Sequence, residues 1–170
     1  MADPAVARLT IASPGGALTI TQRDGAIVAL DWGAATAADR TDLLLTAAQQ
    51  LDAYFYCELR AFDLPLAPAG SPFQQAVWRE MLAIPRGSTR SYGELAARLD
   101  AVARAVGGAC GSNPIPVIIP CHRVLAAHGR MGGYSGRGGT VTKRFLLELE
   151  GARLPPETAE LPLDMPPARK

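Results

Sequence analysis

A chain of 170 residues, 48% hydrophobic and 19% charged, can form one domain with a true core or two small subdomains sharing one. A net charge of +1 excludes a broadly basic nucleic-acid coat, so any DNA contact has to rest on local positive charge. The odd set Cys57, Cys110 and Cys121, with no basic start and apolar run at the N-terminus, argues against a secreted disulfide scaffold and for a reducing cytoplasm.

The first elements read as β structure over residues 8–32. Leu9–Ala12 and Leu18–Thr21 flank a turn at Pro14-Gly15-Gly16, and Asp24-Gly25 separates Leu18–Gln22 from Ile27–Trp32. Asp-Gly between β-rich runs is a strong hairpin signal, because both residues tolerate the positive φ of a tight turn. Asp42 to Tyr56 sets Leu44, Leu45, Ala48, Leu51 and Phe55 at the spacing of one apolar helical face. Phe62-Asp63-Leu64 predicts a short edge strand, and Pro65 to Gly70 a linker.

The second half is helical. Ser71 stands at an N-cap and Pro72 at the first helical position, followed by Phe73, Val77 and Met81 on one face. Ile84-Pro85-Arg86-Gly87 ends that helix. Ser91 and Glu94 form a capping box opening a helix with Leu95, Ala96 and Leu99 inward. Asp100 is expected to cap another helix, from Ala101 to about Cys110, and the tight turn between the two suggests a helix-turn-helix. Its small residues, Ala103, Ala105, Gly107, Gly108 and Ala109, have two readings. They allow close packing inside the protein, or they let the backbone approach a surface such as a DNA groove. Ile115–Ile119 reads as a buried strand, broken by Pro116 and far too short to span a membrane. Gly129–Gly139 is a glycine-rich loop without the Lys-Ser/Thr ending of a phosphate loop. Thr140 is expected to cap a last helix that turns Val141, Phe145, Leu146 and Leu149 inward and stops at Glu150-Gly151. The proline-rich tail from Ala152 is expected to be disordered.

Cys121 stands apart among the cysteines. Cys57 and Cys110, near predicted helix ends, read as inert core thiols. Cys121 lies between Pro120 and the pair His122-Arg123, surroundings that would lower a thiol pKa and raise the thiolate fraction. His122 is a candidate base. On an extended chain it would point away from Cys121, so contact needs a turn or an intervening water. A histidine base also needs a partner for its other nitrogen, and Glu150 is a candidate, although a helix C-terminus disfavours a carboxylate. A tetrahedral zinc site would take nearly all the cysteines and histidines at awkward spacing, so no metal is expected.

The run Ile119-Pro-Cys-His-Arg-Val124 resembles the active-site signature of the O6-alkylguanine-DNA alkyltransferases. Phe73-Gln-Gln-Ala-Val-Trp78, Ile84-Pro-Arg-Gly87, Ser91-Tyr92, Arg104-Ala-Val-Gly107, Asn113-Pro114, Gly133-Tyr-Ser-Gly136 and Lys143-Arg-Phe-Leu-Leu147 match that family in order, over roughly residues 70–151. The resemblance implies an α+β fold. Residues 1–69 would form a β-rich, ribonuclease H-like subdomain and linker, and 70–151 a mainly helical DNA-binding and active-site subdomain with the helix-turn-helix. Residues 152–170 would be the tail.

The resemblance also implies roles. Cys121 would accept the alkyl group, His122 would deprotonate it through a water, and Glu150, with Glu148 as a nearby rival, would orient His122. Tyr92 would hydrogen-bond the leaving guanine and help turn its phosphate. Asn113 would hold the turn between the DNA-binding and active-site segments. Val124, Tyr134, Ser135 and Gly136 would line the base pocket. Arg104 would replace the flipped base in the stack, with Ala103, Ala105 and Gly107 against the minor groove and Ser91 as a further DNA contact. The implied partner is double-stranded DNA carrying O6-alkylguanine, with O4-alkylthymine a possible second lesion. The implied protein is a stand-alone bacterial-type monomer, without cofactor, that acts once per molecule.

Two departures stand out. The connection between Leu99 and Arg104 lacks the family's Gly-x-Pro turn and is about two residues short. The segment after Gly136 is about two residues long, which bears on which alkyl groups fit. Competing functions are a lesion sensor that flips the base without transfer, whose relatives carry tryptophan in place of Cys121, and a thiol hydrolase, which needs an oxyanion hole and turnover.

Overall fold

The computed structural model describes residues 5–33, 36–134 and 138–154. The chain opens with an antiparallel sheet in the order β1 (Val6–Ile11), β2 (Leu18–Arg23), β3 (Ala26–Trp32). Asp24 and Gly25 take φ of 50° and 77° between β2 and β3, the turn the dipeptide was chosen for. Helix α1 (Asp42–Phe55) follows, its first turn capped by the Thr41 hydroxyl, and packs on β2. Its buried stripe is Leu44, Ala47, Leu51, Tyr54 and Phe55, while Leu45 and Ala48 are only half-buried. The buried face therefore includes a tyrosine that an apolar pattern passes over.

The expected edge strand at Phe62–Leu64 does not form. The Gln50 side-chain amide takes both backbone groups of Asp63, accepting from its N–H at 2.9 Å and donating to its carbonyl at 3.0 Å. With those groups satisfied, the chain reaches the sheet only further on. There Ile27 N–H donates to Pro65 O and Ala67 N–H to Ile27 O, a parallel bridge centred on Leu66.

Helix α2 (Pro72–Leu82) starts at a capping box between Ser71 and Gln74 and buries Val77, Trp78 and Met81. After it come β4 (Arg90–Ser91), α3 (Tyr92–Arg98), α4 (Ala103–Gly111), β5 (Val124–Leu125) and α5 (Thr140–Leu149). The box between Ser91 and Glu94 opens α3 as expected. Asp100 does not cap α4. It sits at φ 51°, just past the C-cap of α3, the left-handed position that ends helices and that aspartate tolerates better than most residues. Val102 occupies the N-cap of α4 without a side-chain bond. Trp78 Nε1 donates to Ala109 O at 2.9 Å and locks α4 onto α2.

Residues 115–119 are buried as expected but are not a strand. Pro114 and Pro116 remove N–H groups a ladder would use, Val117 turns left-handed at φ 72°, and Ile119 N–H bonds back to Ile115 O. Leu30 N–H donates to Pro114 O, tying the sheet to this loop. Gly139, not Thr140, holds the N-cap position of α5. The buried face of α5 is Thr142, Lys143, Leu146 and Leu147, and Val141 is 76% exposed. One hydrophobic core, from Leu18 and Ile20 through Trp78 and Ile119 to Leu146, runs through both halves. No helix among the described residues is long and apolar enough to cross a membrane. The tail beyond Leu154 lies outside the described residues.

Candidate active site

A cavity of about 590 Å3 opens between α3, α4 and the segment after β5, lined by Tyr92, Ala103, Arg104, Gly107, Cys110, Cys121, Gly133 and Tyr134. Residues read from motifs spread over four segments thus meet around one space, with the Cys121 thiol in its wall. Cys121, His122 and Arg123 form a short 3-10 turn, which supplies the bend that an extended chain lacked.

The loop behind the thiol is held by Asn113. Its Nδ2 donates to Ile119 O at 2.8 Å and its Oδ1 accepts from Ile115 N–H at 3.0 Å, so one buried amide closes both ends of the turn. It also reaches the Cys121 thiol. Cys121 is 5% exposed, and burial pushes its thiol up from the ordinary value. The Asn113 amide, the Lys143 ammonium and nearby backbone groups pull it only part of the way back. The expected low-pKa thiol is therefore corrected: at rest Cys121 is a protonated thiol in a dry wall, because desolvation outweighs its neighbours. Arg123 does not help it, since both edges of its guanidinium are engaged elsewhere.

His122 is fully buried and its Nε2 lies 2.7 Å from Glu150 Oε1. A carboxylate only accepts, so Nε2 carries the hydrogen and Nδ1 presents its lone pair. Nδ1 is buried with no protein partner among the described residues. Burial lowers the His122 pKa against the pull of Glu150, leaving a neutral imidazole. Glu150 accepts from Arg123 Nε at Oε2 and from Arg123 Nη2 at Oε1, both at 2.9 Å, and from the Tyr54 hydroxyl at Oε1 at 2.7 Å. The bonds from His122 and Arg123 hold its carboxyl well below the usual carboxylate range despite its burial. They also explain how a carboxylate survives at the C-cap of α5, against the helix dipole. Glu148 points outward, 61% exposed, and pairs loosely with Arg144 at 3.7 Å, so Glu150 is the partner of His122.

In the sequence Lys143 stands out only as part of the Lys143–Leu147 motif. It is fully buried on the face of α5 that also carries Leu146, Leu147 and Glu150, spacings of three, four and seven residues. That spacing was the available signal. Its Nζ donates to Val124 O at 2.6 Å and Gly133 O at 3.3 Å, and lies 5.7 Å from the centre of the Tyr92 ring. Burial brings its pKa down to about 8. Val124 itself is buried and does not line the cavity, its carbonyl being taken by Lys143. Burial raises Tyr92 to about 12, so its hydroxyl stays a donor.

The remaining residues divide plainly. Ala105 is exposed on α4 outside the cavity, and Ser91 serves as the cap of α3. Ser135 and Gly136 lie outside the described residues. Arg104 is exposed at the cavity mouth with no hydrogen bond or ion pair among the described residues. Close packing accounts for Ala109, which is buried against Trp78, but not for the two glycines of α4. A Cβ built on Gly107 or Gly108 meets nothing within 4 Å, so no neighbour inside the protein requires their smallness. Cys110 is buried and its thiol is raised to about 12 by burial, as an inert thiol should be. Cys57 is exposed, not a core residue, because it stands at φ 61° in the turn after α1.

Residues 72–152 match the family model described as "6-O-methylguanine DNA methyltransferase, DNA binding domain", and residues 6–68 its ribonuclease-like domain. A "methylated-DNA--protein-cysteine methyltransferase" of Mycobacterium bovis is 54% identical over 111 residues, 64% of this chain and 66% of that protein. The protein of the same description from Mycolicibacterium paratuberculosis is 43% identical over 155 residues, 86% of this chain and 93% of its own length. The fold matches a crystal structure of Mycobacterium tuberculosis OGT in complex with DNA with a TM-score of 0.77 and 45% identity, covering 87% of this chain and 94% of that one. With similarity running through both halves and a buried Cys-His-Glu set at its centre, the chain belongs to the 6-O-methylguanine DNA methyltransferase family.

Proposed function

We propose that the chain repairs alkylated DNA by direct reversal, moving the alkyl group of O6-alkylguanine, or of O4-alkylthymine, onto Cys121. The observation that carries the reading is the Cys121 thiol in the cavity wall beside a buried, neutral His122 whose Nδ1 has no partner among the described residues and whose Nε2 is fixed by Glu150.

The chemistry follows from those atoms. The thiol gives its proton through one bridging water to Nδ1, and Glu150 stabilises the imidazolium that forms. The sulfur attacks the alkyl carbon in line, a C–S bond forms, the C–O bond breaks, and the electron pair leaves on the guanine oxygen. Tyr92 donates a hydrogen bond to the leaving base, and Lys143 adds a buried positive charge near the developing anion. Tyr134, Ser135 and Gly136 flank the base. A thioether is not reopened by water or a second thiol, so each molecule acts once. No cofactor takes part.

A base inside a duplex cannot reach this wall, so the nucleotide has to leave the stack. Arg104, exposed at the mouth, enters the gap. Ala103, Ala105 and Gly107 lie along the minor groove, a narrow space suited to small side chains, and Ser91 contacts the backbone. The open space beside Gly107 and Gly108 supports this placement. The protein acts as a cytoplasmic monomer.

The test is a titration with excess O6-benzylguanine. Release of one guanine per chain, abolished in Cys121→Ser, is expected. Continuing release would mark a hydrolase, and none a lesion sensor.

A further inference from the structure

Tyr54 reaches the catalytic network from the N-terminal half, and nothing in the proposed reaction assigns it a part. From its contacts we infer that Tyr54 is a positioning residue for the transfer: its hydroxyl sets how strongly Glu150 holds His122. The inference rests on the relay proposed above.

Tyr54 lies in the last turn of α1, 1% exposed. Its hydroxyl donates at 2.7 Å to Glu150 Oε1, the oxygen that His122 Nε2 also meets at 2.7 Å and Arg123 Nη2 at 2.9 Å. The ring is fixed on three sides. Phe55 stands edge-on at 5.2 Å, Phe62 at 5.4 Å, and the Arg86 guanidinium lies 5.0 Å above its centre. Arg86 also donates to Leu59 O and to Leu149 O, the residue before Glu150. Tyr54, from the first half of the chain, thus grips the Glu150 side chain, while Arg86, from the second half, packs on the Tyr54 ring and holds the backbone leading into Glu150.

Three donors on one carboxylate oxygen compete for its charge. Each weakens what the others receive, so the Tyr54 hydroxyl reduces the pull of Glu150 on His122. The groups facing this pair are Arg123 from the same turn as His122, Lys143 from α5 and Tyr54 from α1. Tyr54 is the uncharged member, so it can be altered without changing the net charge of the site. Its hydroxyl keeps His122 a weaker base than Glu150 alone would make it.

Tyr54→Phe removes one donor and leaves Glu150 its bonds to His122 and Arg123. His122 then receives more of the carboxylate and becomes more basic. The pH profile of alkyl transfer from free O6-benzylguanine, followed from about pH 8 down through and below the ordinary histidine range because burial lowers His122, should keep its shape. Its acid limb should move upward by about half a unit to one unit. Site-specific 3-fluorotyrosine at position 54, a stronger donor of nearly the same shape, should move the limb downward. A purely structural tyrosine would change the unfolding midpoint and leave the limb where it was. Acid limbs superimposable on the wild type in both variants, while Glu150→Gln shifts or abolishes the limb, would overturn the assignment of Tyr54 alone. If Glu150→Gln also leaves rate and limb unchanged, the relay itself fails and the inference with it.

Discussion

Removing the Asn113 side chain tests how the nucleophile is held. Asn113→Ala strips a donor from Ile119 O and an acceptor from Ile115 N–H, both in a buried loop. A buried backbone group left unpaired costs about 1–3 kcal/mol, so the two together cost about 4 kcal/mol. That is a large share of the roughly 5–15 kcal/mol that stabilises a typical domain. Urea denaturation should show a lower midpoint at unchanged slope, and transfer from O6-benzylguanine should fall with it because the Cys121 turn loosens. Asn113→Asp keeps the acceptor for Ile115 but sets an oxygen against Ile119 O, so it should not rescue the loss. An unfolding free energy within about 0.5 kcal/mol of the wild type, the range of ordinary surface substitutions, would refute the reasoning.

Other consequences are equally open to measurement. Gly107→Ala introduces a Cβ that meets nothing inside the protein. It should raise stability by up to about 1 kcal/mol through helix propensity, yet slow repair of a duplex lesion relative to free O6-benzylguanine. Equal rates on the two would remove α4 from the DNA-facing role. Iodoacetamide at neutral pH should label the exposed Cys57 well before the buried, protonated Cys121, and peptide mapping that finds Cys121 first would contradict the resting state described above. Acid stability follows from Glu150. Its folded carboxyl lies below 4.5, so between the two values the unfolded chain takes a proton that the folded chain refuses. Its contribution is complete above about 4.5 and is lost as pH falls through that window. His122, kept neutral by burial, adds a loss of the same sign below 6.5. In Glu150→Gln the lower part of the stability–pH curve should flatten, and an unchanged slope there would show that Glu150 is not held ionised.

What could be read from the sequence depended on range. The hairpin at Asp24-Gly25 and the capping box from Ser91 to Glu94 are complete within four residues, and both form as written. The segment 115–119 is apolar and buried, but two prolines and the Asn113 brace make it a turn, and tertiary bonds of that kind leave no periodic trace. Helix α5 misled because a buried lysine breaks the rule that charges face water. Lys143 goes in to bind Val124 O, and Val141 comes out. The neighbours of Cys121 misled in a similar way. Arg123 stands two residues away in sequence but is spent on Glu150, while the cation that acts on the thiol is Lys143. Tyr54 was beyond reach, since its partner lies 96 residues further along the chain.

The central claim is that Cys121 itself receives the alkyl group. The most direct measurement is intact and peptide mass spectrometry after incubation with duplex DNA carrying a single O6-methylguanine. The expected result is one added methyl, mapped to Cys121, with the guanine restored and no change in Cys121→Ser. A restored guanine with the methyl on Cys57, on Cys110 or on no residue would contradict it.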